Sequence, residues 1–272
     1  MRLEFLRRAG FILPELSGRR KLLGSTIVLA GILSLGLLSA AAPTPAAQEG
    51  QASPESIHYD SGGVNIAAFL AEPQGGGKHP AIILIHDNQG LTDGIRDIAR
   101  QFASEGFVTL APDLLSRAGG SKTPQQSRGM ISQMDPQRSV EDLKAAFDYL
   151  QRQDDVDAGK ISSVGLGWGG WRSFMLASTV PNLYRAVVYS GTTPVRGLET
   201  IHAPVMANYA KYDFFDAGNS IWTESTFKEM GKKFTYYIYP KTYESFFDAK
   251  SARYDAEAAK LAWTRTLDFL RS

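Results

Sequence analysis

The run HPAIILIH, residues 79–86, does most to restrict how this chain can fold. Its centre has no polar face, so as a strand it must be covered on both sides. A sheet buried on both faces needs helices packed against it, and the chain offers them in alternation with further short apolar runs. TDGIRDIARQFASEGF places Ile95, Ile98, Ala99 and Phe102 at helical spacing, between a capping Thr92 and a stop at Gly106. SVEDLKAAFDYLQRQ does the same with Leu143, Ala146, Phe147 and Leu150, GWRSFMLAST reads as a helix, and DAEAAKLAWTRTLDFLRS closes the chain as another. VTLAPDLL, KISSVGL, YRAVVYSG, APVMANYA and KFTYYIYP read as strands between and around them. Upstream, SIHYDSGGVNIAAFLAE reads as a hairpin turning at Ser61-Gly62-Gly63. The pattern predicts an α/β fold with a mostly parallel sheet and helices on both faces, and ligands in such folds bind at the carboxyl ends of the strands.

One strand-to-helix junction carries more information than the rest. In KISSVGLGWGGWRSFM, residues 160–175, an apolar run enters a turn spaced Gly165-x-Gly167-x-Gly169. That is the spacing of the elbow on which α/β-hydrolases present a nucleophile, and Gly167 stands in the nucleophile's place. Three further stretches join it: IHDNQGLTDGIRDIARQFASEGFVTLAPDLLSRAGG after the first buried strand, YAKYD, and YPKTYESFFDAKSARYDAEAAKLAWTRTLDFL at the end. Together they resemble the dienelactone hydrolase family from about residue 56 to residue 272. The resemblance implies an α/β-hydrolase fold and, in its active members, ester or lactone hydrolysis without a cofactor.

Transferred residue by residue, the family's triad is incomplete. The nucleophile falls on Gly167, the acid on Asp213, and the base on Glu244, because YPKTYESF has Glu where the family has His. The acidic residue near the nucleophile falls on Asp87, next to His86, and Arg117 matches an Arg that binds a substrate carboxylate. Trp168 and Tyr243, with Phe214, Phe215, Phe246 and Phe247, are aromatics that either line a pocket or fill the core. Covalent attack needs a hydroxyl or thiol and a base to deprotonate it, and Gly167 supplies neither. Ser162, Ser163, Ser173, Ser190 and Ser245 lack elbow geometry, and of His58, His79, His86 and His202 only His86 falls on the carboxyl edge. A glycine at the elbow also fits a backbone with positive φ, which is strained for other residues.

The expectation is therefore a catalytically inactive relative acting as a binding or accessory subunit for a small molecule or a protein, and as a subunit of a membrane complex if the first 42 residues stay attached. Two alternatives stay open at this point: an active ester or lactone hydrolase with a rearranged site, and a cation-dependent module in which Asp213 and Glu244 offer oxygen ligands.

The first 47 residues read differently. Arg19, Arg20 and Lys21 precede an uncharged stretch, and its apolar part, Leu22–Ala42, would be roughly 31 Å long as a helix, about one bilayer core. A basic region, an apolar region and a small-residue exit read as an export signal, and Arg19-Arg20 with Leu22-Leu23 resembles the twin-arginine form. The segment is either cleaved, near Ala42 or at Ala46 or Ala47, or kept as an N-terminal membrane anchor. Either way the domain from residue 48 is expected outside the cytoplasm, in the periplasm or at the cell surface. Without residues 1–47 the chain has 23 basic and 26 acidic residues, a net of −3, so no basic surface argues for nucleic acid. The chain has no cysteine, which excludes a thiolate nucleophile, a disulfide and Cys-ligated metal.

Overall fold

Of the two units into which the chain divides, Met1–Ala47 and Gln48–Ser272, the computed structural model describes residues 54–272 of the second. The expected export or anchor segment lies outside the described residues. Among the described residues no helix is long and apolar enough to cross a membrane.

The strands are β1 (Pro54–Ser61), β2 (Val64–Ala71), β3 (His79–Ile85), β4 (Val108–Pro112), β5 (Val156–Leu166), β6 (Ala186–Tyr189), β7 (Val205–Ala210) and β8 (Phe234–Tyr239). They form one sheet in the order β1-β2-β4-β3-β5-β6-β7-β8. β1 and β2 are antiparallel to each other, β2 is antiparallel to β4, and every pairing from β4 to β8 is parallel. The β1–β2 hairpin turns where expected: Gly62 and Gly63 both have positive φ, 60° and 81°, as a two-residue type I′ turn requires.

β3 shows why its sequence is apolar throughout. Ile83 and Ile85 enter the core on one face with Leu143 and Phe147 of α3 (Pro136–Leu150), Phe174 of α4 (Trp168–Thr179) and Phe227 of α5 (Phe214–Glu229). Ile82 and Leu84 enter the other face with Ile95 and Phe102 of α1 (Asp93–Ser104) and Leu267 of α6 (Ala256–Arg271). Thr92 caps α1, its side chain accepting from the Ile95 N–H, and Asp255 caps α6 by accepting from Ala258.

Two helices were not expected from the sequence pattern. α2 (Pro124–Ser132) is short and mostly exposed, with no apolar stripe, but Thr123 and Gln126 form a reciprocal capping box with Pro124 in the first turn. That signature is readable in TPQQ. α5 buries Ser220 and Thr223 as well as Phe227, so hydrophobic periodicity did not mark it. The chain runs from β3 out to β4 and then back across β3 to β5. The carboxyl ends of β3 and β5 therefore flank the point where strand order reverses, the place where open α/β sheets bind ligands.

Candidate functional site

The elbow forms as a turn. Gly167 follows β5 directly and caps α4 with φ 52° and ψ −113°, and no side chain caps the helix. Its N–H donates to the Tyr189 carbonyl at 2.7 Å. The neighbouring glycines are required by space. A Cβ on Gly165 would stand 2.2 Å from the Gly169 carbonyl oxygen, one on Gly169 would be 2.5 Å from that of Ile85, and one on Gly170 would be 2.0 Å from that of Ser190. Helix α4 thus approaches β3, β5 and β6 at backbone contact.

Gly167 differs: its Cβ would meet only Glu244 Oε1 at 3.3 Å and Asp87 Cβ at 3.5 Å. The residue expected in the base position, Glu244, and the acidic residue expected near the nucleophile, Asp87, therefore do converge on the elbow, although Glu244 lies 77 residues further along the chain than Gly167. The turn that carries Glu244 is tied to the end of β7, with the Tyr212 N–H donating to the Thr242 carbonyl at 3.0 Å. Asp213, the matched acid, is half-buried in the turn after β7, and its N–H donates to Ala210. The Asp87 carboxylate accepts from the Gln89 backbone and side-chain amides at 2.8 and 3.1 Å.

His86 is fully buried, and both ring nitrogens have partners. Nε2 accepts the Leu114 N–H at 3.2 Å, so the proton is on Nδ1, which donates to the Asp87 carbonyl at 2.7 Å. Burial lowers its pKa further below the ordinary histidine range. It is a neutral packing group stacked on Trp168, and offers no lone pair to a substrate.

Two pocket assignments change. Arg117 does not face the elbow: it chelates the buried Asp142 carboxylate of α3 through Nε and Nη2, at 2.7–3.1 Å, and donates to the Ser61 carbonyl. A buried carboxylate needs a charged partner, and that requirement takes the arginine. Tyr243 points outward, 51% exposed, and packs on Tyr212. Of the other aromatics, Phe246 is in the core, and Phe247 borders a separate apolar cavity between α1 and α6. Ser163 and Ser173 hydrogen-bond to each other at 2.7 Å inside the protein. Among the described residues no group of three or more Asp, Glu or His is placed to hold a metal ion, so a cation site at Asp213 and Glu244 finds no third ligand there.

Over the elbow lies a cleft of about 460 Å³. Gly167, Trp168, Trp171, Arg172 and Glu244 line it, and α2 closes one side with Arg128 and Ile131. The sequence pattern missed Arg172. The available signal was a lone charge in an otherwise apolar helix, four residues after Trp168 and hence on the same face.

This sheet order, with an elbow between β5 and α4, defines the chain as an α/β-hydrolase-fold protein. It belongs to the dienelactone hydrolase family, which it matches over residues 66–272. A "Putative carboxymethylenebutenolidase" of Saccharolobus solfataricus is 31% identical over 258 residues, covering 80% of this chain and 98% of the relative. A protein of the same name from Escherichia coli K12 is 25% identical over 228 residues, 78% and 84% of the two chains. Among solved structures, a "Putative Dienelactone Hydrolase" of Klebsiella pneumoniae superposes with a TM-score of 0.73 at 24% identity, covering 81% of this chain and 98% of that one. The structure described as "Dienelactone Hydrolase-like Promiscuous Phospotriesterase P91" superposes at 0.70 with 20% identity, covering 82% and 98%.

Proposed function

We propose that this protein is a non-catalytic member of its family: it binds a ligand at the elbow cleft and serves as an exported binding or accessory subunit, anchored to the membrane if Leu22–Ala42 is retained. The observation that carries this reading is the pairing at the elbow. Gly167 keeps the strained turn, with φ 52°, and Glu244 stands over it where the family's histidine would be. Gly167 brings no hydroxyl or thiol to the elbow, and His86 on the carboxyl edge has both ring nitrogens engaged. Export rests on Arg19-Arg20 and the apolar stretch behind them.

A panel of p-nitrophenyl esters and lactones tests the reading, with no turnover above background expected. Turnover that disappears in Glu244→Gln would instead support a second reading, favoured by the 3.3 Å approach of Glu244 Oε1 to the vacated position. There the carboxylate takes a proton from a water in the nucleophile's space as that water attacks the acyl carbon, and it returns the proton to the alkoxide that departs when the ester C–O bond breaks, leaving the free acid and the alcohol. Mass spectrometry of the native N-terminus together with membrane fractionation tests export and anchoring.

A further inference from the structure

On the face of the sheet that α1 and α6 cover, away from α4, the packing leaves a cavity of about 320 Å³. Val164 and Leu166 of β5 and Tyr189 of β6 meet it from the sheet, Ile98 and Phe102 from α1, and Trp263 from α6. Residues 247–250 and Tyr254 cross over it on the outer side. Among the described residues it shares no lining side chain with the elbow cleft. Voids larger than a water molecule are few in close-packed proteins, and an apolar cavity of about 150 Å³ already holds benzene. This one is about twice that size, room for two fused rings and a short substituent.

The cavity is apolar in its depth and polar only at its mouth. Phe102, Val164, Leu166 and Tyr189 are buried, whereas Gln101, Lys250 and Lys260 are exposed. Phe102 packs on Trp263 with ring centroids 4.4 Å apart, and Tyr189 meets Phe247 edge-on at 4.9 Å. Such walls favour an aromatic guest, which gains from edge-to-face and offset contacts beyond the area it buries. The Tyr189 hydroxyl is already bonded to Thr266 Oγ1 at 2.7 Å. None of the unpartnered buried side-chain atoms among the described residues belongs to the lining. Water in the depth therefore finds few partners, and a guest loses little by displacing it. Charge at the mouth is balanced, Asp97 and Asp248 against Lys250 and Lys260, and Lys250 Nζ already pairs with Asp97 Oδ2 at 2.6 Å. A charged guest would shed its hydration for no partner inside.

We propose that this cavity is a second ligand site, separate from the elbow, for a small uncharged bicyclic aromatic molecule. Its flat body lies among Phe102, Tyr189, Phe247 and Trp263, and its polar substituent stays at the mouth beside Asp97 and Lys250. The molecule enters past the strap of residues 247–254, which that half-exposed ion pair fastens to α1. The inference does not depend on whether the elbow cleft binds a ligand or turns one over.

The test is calorimetric binding to the full-length protein at neutral pH, with neutral 2-naphthalenemethanol, the anion 2-naphthoate, the cation 2-naphthylmethylammonium and the chain alcohol 1-octanol. The neutral arene is expected to bind at least about ten-fold more tightly than either ion or octanol. Ala259→Phe, which puts a ring into the cavity from α6, is expected to weaken the arene by about ten-fold or more in a folded protein. Fluorine NMR of protein labelled with fluorotryptophan locates the bound arene independently: the Trp263 resonance is expected to move while those of Trp168 and Trp171 stay. That measurement decides alone should Ala259→Phe fail to fold by near-UV circular dichroism. The proposal is overturned by no binding of the arene up to its solubility, by equally tight binding of an ion or octanol, or by unchanged affinity in a folded Ala259→Phe. Movement of Trp168 or Trp171 with Trp263 unmoved would overturn it as well, by placing the arene in the elbow cleft. Ester turnover in the earlier panel would remove the non-catalytic reading and leave this site standing, whereas failure of the arene to bind here would remove the site and leave that reading standing.

Discussion

The elbow glycines allow a graded prediction, because the same substitution to alanine meets a different obstacle at each position. At Gly167 the added methyl has room: its nearest neighbours are the exposed Glu244 carboxylate at 3.3 Å and Asp87 Cβ at 3.5 Å. The cost there is the backbone, since φ 52° with ψ −113° is unfavourable for any residue with a Cβ. Such strain costs about 1–3 kcal/mol. For a domain of this size each kcal/mol lowers the melting temperature by about 2–4 °C, so Gly167→Ala is expected to melt about 2–12 °C lower. Gly170 has an ordinary φ but no space: its Cβ would be 2.0 Å from the Ser190 carbonyl oxygen, and that oxygen belongs to backbone that cannot rotate away. Overpacking ordinarily costs about 1–3 kcal/mol and occasionally more. Forcing α4 off β6 belongs at or beyond the upper end, so Gly170→Ala is expected to fold poorly or not at all, with Gly165→Ala close behind. Thermal melts of purified variants by near-UV circular dichroism, alongside soluble yield, measure the order. Gly170→Ala within about 0.5 kcal/mol of the parent, or Gly167→Ala more damaged than Gly170→Ala, would refute the division between dihedral strain and steric contact.

Three further outcomes follow from the same geometry. Restoring both missing groups, as Gly167→Cys with Glu244→His, is expected to create p-nitrophenyl acetate hydrolysis roughly 10²-fold or more above either single variant, since nucleophile and base work as a pair; equal rates in the three would show that the elbow is not poised for attack. Arg117→Ala leaves the buried Asp142 carboxylate without its cation and is expected to cost about 3–5 kcal/mol in urea denaturation, whereas Asp142→Ala leaves a guanidinium that can turn to solvent and is expected to cost less; equal losses in the two would show that the carboxylate is not the buried partner. His86 has a pKa lowered by burial, so the unfolded chain takes up its proton first: the folded state has its full stability above about pH 6.5 and loses it as pH falls below that, at up to about 1.4 kcal/mol per pH unit. In His86→Gln that part of the slope disappears, as urea midpoints between neutral and mildly acidic pH would show.

Much of the fold was legible because its signals are local. The two-sided apolar character of β3, the cap at Thr92 and the Gly62-Gly63 turn each depend on a few adjacent residues whose chemistry permits one backbone solution. α2 and α5 were missed for a related reason. One is almost all solvent-facing and the other buries hydroxyls beside Phe227, so neither carries the hydrophobic stripe that marks a helix. Arg117 could not be placed from sequence, because its partner Asp142 lies 25 residues away and only packing brings α3 over it. His86 was identifiable as a histidine on the carboxyl edge; that both its nitrogens are engaged depends on where the Leu114 N–H ends up.

By itself, then, the sequence determined that the chain builds a sheet covered on both faces, that an elbow interrupts it at Gly167, and that neither a nucleophile nor a histidine stands in the expected places, since identity and spacing are one-dimensional properties. Tertiary structure decided what replaced them: the Glu244 carboxylate over the empty elbow, Arg117 committed to a buried carboxylate, and Arg172 left as a buried cation on the cleft wall without an ion pair among the described residues. Those outcomes depend on which side chains from distant segments reach the same few ångströms and on how much water is excluded there, and the folded chain alone defines both.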